Sequence, residues 1–179
     1  MTLPSVDAEI SAKVELLMRA DKTARAYDPR IKEVRAGYAD ELRNILVVAS
    51  DGTFAEDLRL DFDAPLVMNG RSVILQASRK IPSAIGELLE RNSKTASAVK
   101  VFLMHQANQN LMDRVAKALA VDPSRFYSNI RRYGNTSSAS MLIAAAEWWH
   151  DPGPNTGDLI CFAAFGAGFH WGALLAQCL

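Results

Sequence analysis

The chain has 179 residues, of which 49% are apolar and 22% are charged. Because this composition is ordinary for a globular protein, it argues against intrinsic disorder, which combines low hydrophobicity with high net charge. Twenty basic residues balance twenty acidic ones, whereas a nucleic-acid-binding protein usually carries a basic excess, so we expect no nucleic-acid partner.

The first 43 residues differ from the remainder of the chain. Apolar residues recur at helical spacing on both sides of Asp28-Pro29, which predicts two amphipathic helices separated by a break. The N-terminus has no basic stretch followed by an apolar one, so we expect a cytoplasmic protein without a secretory signal. We therefore distinguish a helical N-terminal extension (1–43) from a domain that covers 44–179.

From residue 44 onward, short apolar runs alternate with amphipathic helical patterns. This alternation predicts a layered α/β sheet with helices on its faces, in the order β-α-β-α-β-α-β-β. The predicted strands cover residues 45–49, 99–104, 126–130, 160–165 and 171–177. The predicted helices cover residues 71–92, 108–120 and 136–149. Residues 53–70 are expected to be irregular, because a proline and an Asn-Gly pair interrupt them.

The C-terminal segment, residues 159–179, is almost entirely apolar and long enough to span a bilayer as a helix. Three glycines, at 166, 168 and 172, weaken that helix, and a turn-rich stretch precedes it. Continuous apolar runs are also typical of fully buried strands. We therefore favour two core strands around a glycine-rich turn and expect no membrane association.

Three loops that follow predicted strands carry polar or glycine-rich segments: HQAN at 105–108, GNT at 134–136 and FGAG at 165–168. In open α/β sheets such loops line the ligand crevice. A His and an Asn brought together donate two hydrogen bonds to one carbonyl oxygen, which stabilises an enolate or oxyanion. Each loop also has a structural alternative: His105 as a strand-end residue, Asn135 as a helix N-cap and the glycines as a turn.

These segments resemble, in order and spacing, the C-terminal half of β-ketoacyl-acyl carrier protein synthase III, a member of the thiolase-like superfamily. The matching segments are SDG at 50–52, MNGR at 68–71, HQAN at 105–108, YGNTSSAS at 133–140 and FGAGFHWGALL at 165–175. The resemblance covers about residues 44–179. It implies a thiolase-like fold made of two similar halves, of which this chain contains one.

The resemblance also implies an acyltransferase of the fatty-acid and polyketide type, which joins an acyl group held on a Cys to a malonyl thioester. His105 and Asn135 would bind the malonyl thioester carbonyl and stabilise the enolate that forms as carbon dioxide leaves. Acyl carrier protein or coenzyme A would carry the thioester. Substrate-binding roles are assigned to Asn108, Gly166, Ala167 and Gly168.

The sequence departs from this family in its thiols. The family's nucleophilic Cys belongs to the other half, on a turn at a helix start, where the pKa of a thiol is lowered. Here Cys161 lies within a predicted strand and Cys178 is the penultimate residue, and neither fits a metal or disulfide spacing. We therefore expect no metal and no cofactor, and either a partner chain that supplies the Cys-bearing half or a homo-oligomer.

Four functional interpretations stay open at this point. The first is an acyltransferase half that another polypeptide completes. The second is a non-catalytic subunit or binding module of a thiolase-like complex. The third is a malonyl-thioester decarboxylase, which needs the His/Asn pair but no Cys. The fourth is a truncated product without a role of its own.

Overall fold

The computed structural model describes residues 44–178. The chain divides into two compact units, Met1–Arg43 and Asn44–Leu179, and the described residues belong to the second. The two helices predicted before residue 44 lie outside the described residues.

A four-stranded mixed sheet forms the centre of this unit, with the strand order β1-β6-β5-β4. The strands are β1 (Leu46–Ser50), β2 (Leu58–Arg59), β3 (Val67–Met68), β4 (Val99–Met104), β5 (Leu159–Gly166) and β6 (His170–Gln177). β4 and β5 are parallel, and the other neighbours are antiparallel. β2 and β3 form a separate antiparallel pair. The α-helices described are α1 (Gly70–Arg91), α2 (Gln109–Ala118), α3 (Ile130–Tyr133) and α4 (Ala139–His150).

Helices cover both faces of the sheet. Successive side chains of a strand point to opposite faces, and here both sets are apolar and pack against helices. On β4, Phe102 and Met104 belong to the core beneath α1 and α2. Val101 and Leu103 point the opposite way and pack with Trp148 of α4. The result is the layered α/β arrangement that the alternating pattern predicts.

α1 is the longest of these helices and packs on β6 and β1. Asn69 caps its N-terminus by accepting a hydrogen bond from the Ser72 N–H at 3.3 Å. The helix continues through Pro82. Its buried residues recur at helical spacing: Ala77, Ile81, Ala84, Ile85, Leu88 and Leu89.

One predicted strand is wrong. Within residues 126–130, a single residue, Phe126, bridges to β4. The helix α3 already begins at Ile130. The reason is the side chain of Gln106. Its Oε1 accepts from the Asn129 N–H at 3.1 Å, and its Nε2 donates to the Tyr127 carbonyl at 3.2 Å. Because a side chain takes the backbone groups that a neighbouring strand would pair, the strand does not extend beyond Phe126.

Other boundaries shift by a few residues. The helix predicted from residue 136 begins at Ala139 instead, because Ser137 has a left-handed φ of 55° that no α-helix accommodates. Residues 53–70, predicted to be irregular, contain a 3-10 helix at Gly52–Asp57 and the β2/β3 pair. The C-terminal apolar run forms β5 and β6 as predicted. Across 44–178, no helix is long and apolar enough to cross a membrane.

Candidate active site

All three predicted loops reach one edge of the sheet. β4 and β5 are parallel, so the segment after β4 and the end of β5 lie side by side. The His105 N–H donates to the Ala163 carbonyl of β5 at 3.0 Å, which fixes the start of the HQAN loop. Asn135 approaches the same edge from the connection between α3 and α4.

Two clefts meet at His105, which lines both. The first has a volume of about 470 Å³ and includes Met141 of α4 and residues of β6. The second has a volume of about 390 Å³ and lies between α1 and the strand ends. Four of the six predicted site residues line the second cleft: His105, Asn135, Gly166 and Ala167. Asn108 and Gly168 are not among the lining residues of either cleft.

His105 is half-buried, and its burial lowers the pKa of the imidazole below its ordinary value. The ring is therefore neutral at physiological pH and carries one N–H. Its Nδ1 lies 2.5 Å from the Oγ of Ser140, in the first turn of α4. His105 can accordingly act as an uncharged hydrogen-bond donor within the cleft.

The orientation of the Asn135 side chain is fixed by its own loop. Its Oδ1 accepts from the Ser137 N–H at 2.9 Å, and only the amide oxygen can face an N–H donor. The left-handed backbone of Ser137 is a strained conformation of the kind that clusters at functional sites. The Asn135 Nδ2 makes no hydrogen bond within the described part of the chain, so it is available to donate to a ligand.

A carboxylate on α4 holds the segment that precedes Asn135. Glu147 accepts from Asn129 Nδ2 at 2.8 Å, from the Tyr133 hydroxyl at 2.7 Å and from Arg132 at 2.7 Å. The hydrogen bonds from Asn129 and Tyr133 lower the pKa of Glu147. Because Tyr133 is two residues before Asn135, this cluster ties α3 to α4 and sets where the Asn135 loop begins.

The glycine-rich turn after β5 borders the clefts at Gly166 and has a constrained backbone at Gly168. Gly166 lines both clefts. Gly168 has a φ of 73°, a left-handed backbone that favours glycine. A Cβ atom there would lie 2.8 Å from the Nε2 of His170, an exposed side chain that can rotate away. The Gly168 N–H donates to the Leu58 carbonyl at 3.1 Å and is therefore not free for a ligand.

An aromatic cluster anchors the same turn to the core. Phe169 is fully buried and has a left-handed φ of 51°. Its ring stacks on Phe54 at a centroid distance of 5.2 Å and meets Phe165 edge-on at 5.1 Å. These ring contacts hold the backbone of the turn in a conformation that a non-glycine residue seldom adopts.

Asn108 and the two thiols lie outside the clefts at His105, where their contacts serve the fold. Asn108 caps α2, where its Oδ1 accepts from the Asn110 N–H at 2.8 Å. Cys161 lies in the middle of β5, and burial raises the pKa of its thiol to about 12. Burial and the nearby Asp158 raise the pKa of Cys178. Neither thiol lines a cleft at His105, and over residues 44–178 no acidic, His or Cys cluster could hold a metal ion.

Three supporting residues were not predicted from the sequence: Gln106, Ser140 and Glu147. Gln106 is part of the HQAN motif. An amide side chain directly after a buried strand indicates that its polar atoms need hydrogen-bond partners, and this could have marked Gln106 as a supporting residue. Ser140 is one of four hydroxyl residues between residues 136 and 140, so the sequence does not single it out. Glu147 is the sole acidic residue between residues 136 and 149, but nothing in the local sequence indicates which side chains it contacts.

Comparison with known proteins extends these observations. A Gloeobacter violaceus protein named beta-ketoacyl-[acyl-carrier-protein] synthase III is 40% identical over 154 residues, which are 84% of this chain and 45% of that protein. The Trichodesmium erythraeum protein of the same name is 34% identical over 85% of this chain and 41% of its own length. The chain thus spans less than half the length of these two relatives.

A solved structure supports the same fold. The 3-oxoacyl-[acyl-carrier-protein] synthase III of Aquifex aeolicus superposes with a TM-score of 0.72 and 32% identity, covering 74% of this chain and 43% of that one. The predicted thiolase-like α/β fold is therefore confirmed. A family model described as the PmbA/TldA metallopeptidase central domain matches residues 3–80. The described part of that match, 44–80, contributes β1 to the central sheet and contains the first half of α1.

The C-terminal part of the chain has its own family match. The model described as 3-oxoacyl-[acyl-carrier-protein (ACP)] synthase III C terminal covers residues 89–178, which is half of the chain and contains His105, Asn135 and the glycine-rich turn. The chain therefore belongs to the 3-oxoacyl-[acyl-carrier-protein] synthase III C-terminal family.

Proposed function

We propose that this chain provides the enolate-stabilising half of a decarboxylating condensing enzyme. The thioester carbonyl of a malonyl group, carried by acyl carrier protein or coenzyme A, accepts hydrogen bonds from His105 and Asn135. The bond to the carboxylate breaks, carbon dioxide leaves, and the electron pair forms an enolate whose oxygen these donors stabilise. The enolate carbon then attacks an acyl thioester on a Cys, a carbon–carbon bond forms, and the Cys thiolate departs.

The observation that carries this proposal is the convergence of two neutral donors on one cleft. His105 and Asn135 line the same cavity, and neither is charged in its resting state. Neutral donors suit an enolate, because an N–H group stabilises the negative charge that develops on the oxygen it contacts. Gly166 and Ala167, in the same cleft, add a closely approachable backbone wall.

The nucleophilic thiol is proposed to come from a separate Cys-bearing half, on a partner chain. The two cysteines of this chain support this, because both have raised thiol pKa values and lie outside the clefts. The outer side of α4 supports it as well, since Leu142 is 65% exposed and Trp149 is 53% exposed. Apolar side chains of this size on one helix face are typical of an interface.

The experiment is reconstitution. The chain is co-expressed with candidate Cys-bearing polypeptides, and the purified assembly is assayed for condensation of malonyl thioesters with acyl thioesters. His105→Ala and Asn135→Ala are each expected to lower kcat by about 10²–10³-fold, the usual effect of removing one such donor. His150→Ala, which removes an exposed histidine at the end of α4, is the matched control. Unchanged activity in His105→Ala would favour a non-catalytic subunit.

A malonyl-thioester decarboxylase is the second candidate, and the position of the thiols favours it. The cleft with His105 and Asn135 contains no Cys from residues 44–178, yet decarboxylation needs only the donor pair. The enolate would then take a proton from solvent and leave as an acetyl thioester. Release of carbon dioxide by the full chain without any partner, lost in Asn135→Ala, would identify this activity.

A further inference from the structure

Ser140 makes two hydrogen bonds at the back of the cleft. It is 1% exposed and lies in the first turn of α4. Its Oγ is 2.5 Å from the Nδ1 of His105 and 3.1 Å from the backbone nitrogen of Gln106. One hydroxyl thus contacts both the ring of His105 and the backbone of the residue that follows it.

The roles in these two contacts follow from donor and acceptor capacity. A backbone N–H can only donate, so Oγ accepts from Gln106. A serine hydroxyl has one proton of its own, and across residues 44–178 Ser140 Oγ makes no hydrogen bond other than these two. Since burial also excludes water, the sole acceptor left for this proton is the Nδ1 of His105, which must then be unprotonated.

We propose that Ser140 is a positioning residue that fixes the tautomer of His105, holding the ring proton on Nε2. In this state Nδ1 faces the protein and the Nε2–H is the donor available to a ligand in the cleft. The inference rests on the proposed function for its catalytic meaning, because the Nε2–H is the bond offered to the malonyl thioester carbonyl. The tautomer itself is a property of the resting protein.

The opposite tautomer would leave the contact poorly satisfied. With a proton on Nδ1, Ser140 Oγ would accept from both His105 and Gln106, and its own proton would have no acceptor. An imidazolium would create the same conflict, in keeping with the lowered pKa of His105. A buried donor without a partner is unfavourable, so the Nε2–H tautomer is the one in which the Ser140 hydroxyl and the Gln106 N–H are both paired.

Nitrogen NMR of the ring tests the inference directly. The full chain, together with any polypeptide that co-purifies, is labelled with ¹⁵N-histidine, and ring signals are recorded above the ordinary histidine pKa of about 6.5. The chain has three histidines, so His105→Gln assigns the signals of interest. We expect a bare, pyridine-type Nδ1 and a protonated, pyrrole-type Nε2 in the unmodified chain. A protonated Nδ1 would overturn the proposal without any variant.

Two substitutions complete the test. Ser140→Ala is expected to average the two ring signals as both tautomers become populated, whereas Ser140→Thr, which keeps a hydroxyl, is expected to restore the single tautomer. Ser83→Ala is the matched control, because Ser83 is exposed on α1 and lines neither cleft at His105, so it should leave the ring signals unchanged. Unshifted ring signals in a folded Ser140→Ala protein would contradict the inference.

The kinetic readout separates this inference from the proposed function. In an active assembly, Ser140→Ala is expected to lower kcat by about tenfold or more, with little change in KM, and by less than the loss of the whole His105 donor. A single Nε2–H tautomer combined with full activity in His105→Ala would reject the proposed function and leave the role of Ser140 in the ring intact. Averaged ring signals in the unmodified chain would reject the role of Ser140 and leave the proposed function untouched.

Discussion

Gln106→Met should destabilise the domain more than any surface change, although the two side chains have similar sizes. Gln106 is fully buried. Its amide donates to the Met104 carbonyl at 2.8 Å and the Tyr127 carbonyl at 3.2 Å, and accepts from the Asn129 N–H at 3.1 Å. Methionine fills the space but pairs none of these backbone groups.

The magnitude follows from the groups left unpaired. A buried backbone donor without a partner costs about 1–3 kcal/mol, and the Asn129 N–H would be such a group. The two carbonyls add less, because each keeps lone pairs that other groups can reach. We therefore expect a loss of about 2–4 kcal/mol in the free energy of unfolding, or about 7–14 °C in Tm for a domain of this length.

Urea denaturation followed by circular dichroism measures this loss, with thermal melting as a second probe. Gln177→Met is the control, because the Gln177 side chain is exposed and makes one hydrogen bond, to the Gly157 carbonyl. We expect it to change stability by about 0.5 kcal/mol or less. If both variants shifted the midpoint equally, the reasoning that Gln106 replaces a missing strand would be refuted.

Three further predictions concern single groups. Because hydrogen bonds from Asn129 and Tyr133 lower the folded-state pKa of Glu147, its contribution to stability is complete above its ordinary pKa of about 4.5 and is lost as the pH falls through the lowered value. Glu147→Gln should therefore flatten the fall of the urea midpoint below pH 4.5, and an unchanged slope would argue against it. Thr136→Val should raise the free energy of unfolding by about 1 kcal/mol, since the Thr136 hydroxyl is buried and unpaired among the described residues; a lower Tm would show that this hydroxyl has a partner. Cys161 should resist iodoacetamide at pH 8 in the native protein and react in urea, because burial raises its thiol pKa to about 12, and mass spectrometry of the alkylated peptide reports the result.

The sequence predicts the elements whose own residues determine them. The apolar run of β4 and the helical stripe of α1 lie within one residue of their predicted bounds, because burial of a continuous or periodic apolar pattern decides both. The order and spacing of the motifs also predicted the thiolase-like family. The resemblance to that family predicted that His105 and Asn135 come together, and both line one cleft.

The features that the sequence did not predict correctly depend on contacts between residues far apart in the chain. Nothing within residues 126–130 indicates that the amide of Gln106 takes their backbone groups. The pairing of Ser140 with His105 joins residues 35 positions apart, and the donor assignment requires knowing that the hydroxyl is buried. Local propensity cannot reveal either arrangement, because both depend on which backbone segments the fold brings together.

Phe169 determines when the entropy of the glycine-rich turn is lost. A free turn of this composition would sample many conformations and would have to be ordered at the moment a ligand arrives. Because the Phe169 ring is stacked on Phe54 and buried, that ordering happens during folding. The cleft wall at Gly166 and Ala167 is therefore preorganised. Under the proposed function, the binding energy of the thioester would be available to stabilise the enolate, because none of it is needed to order this loop.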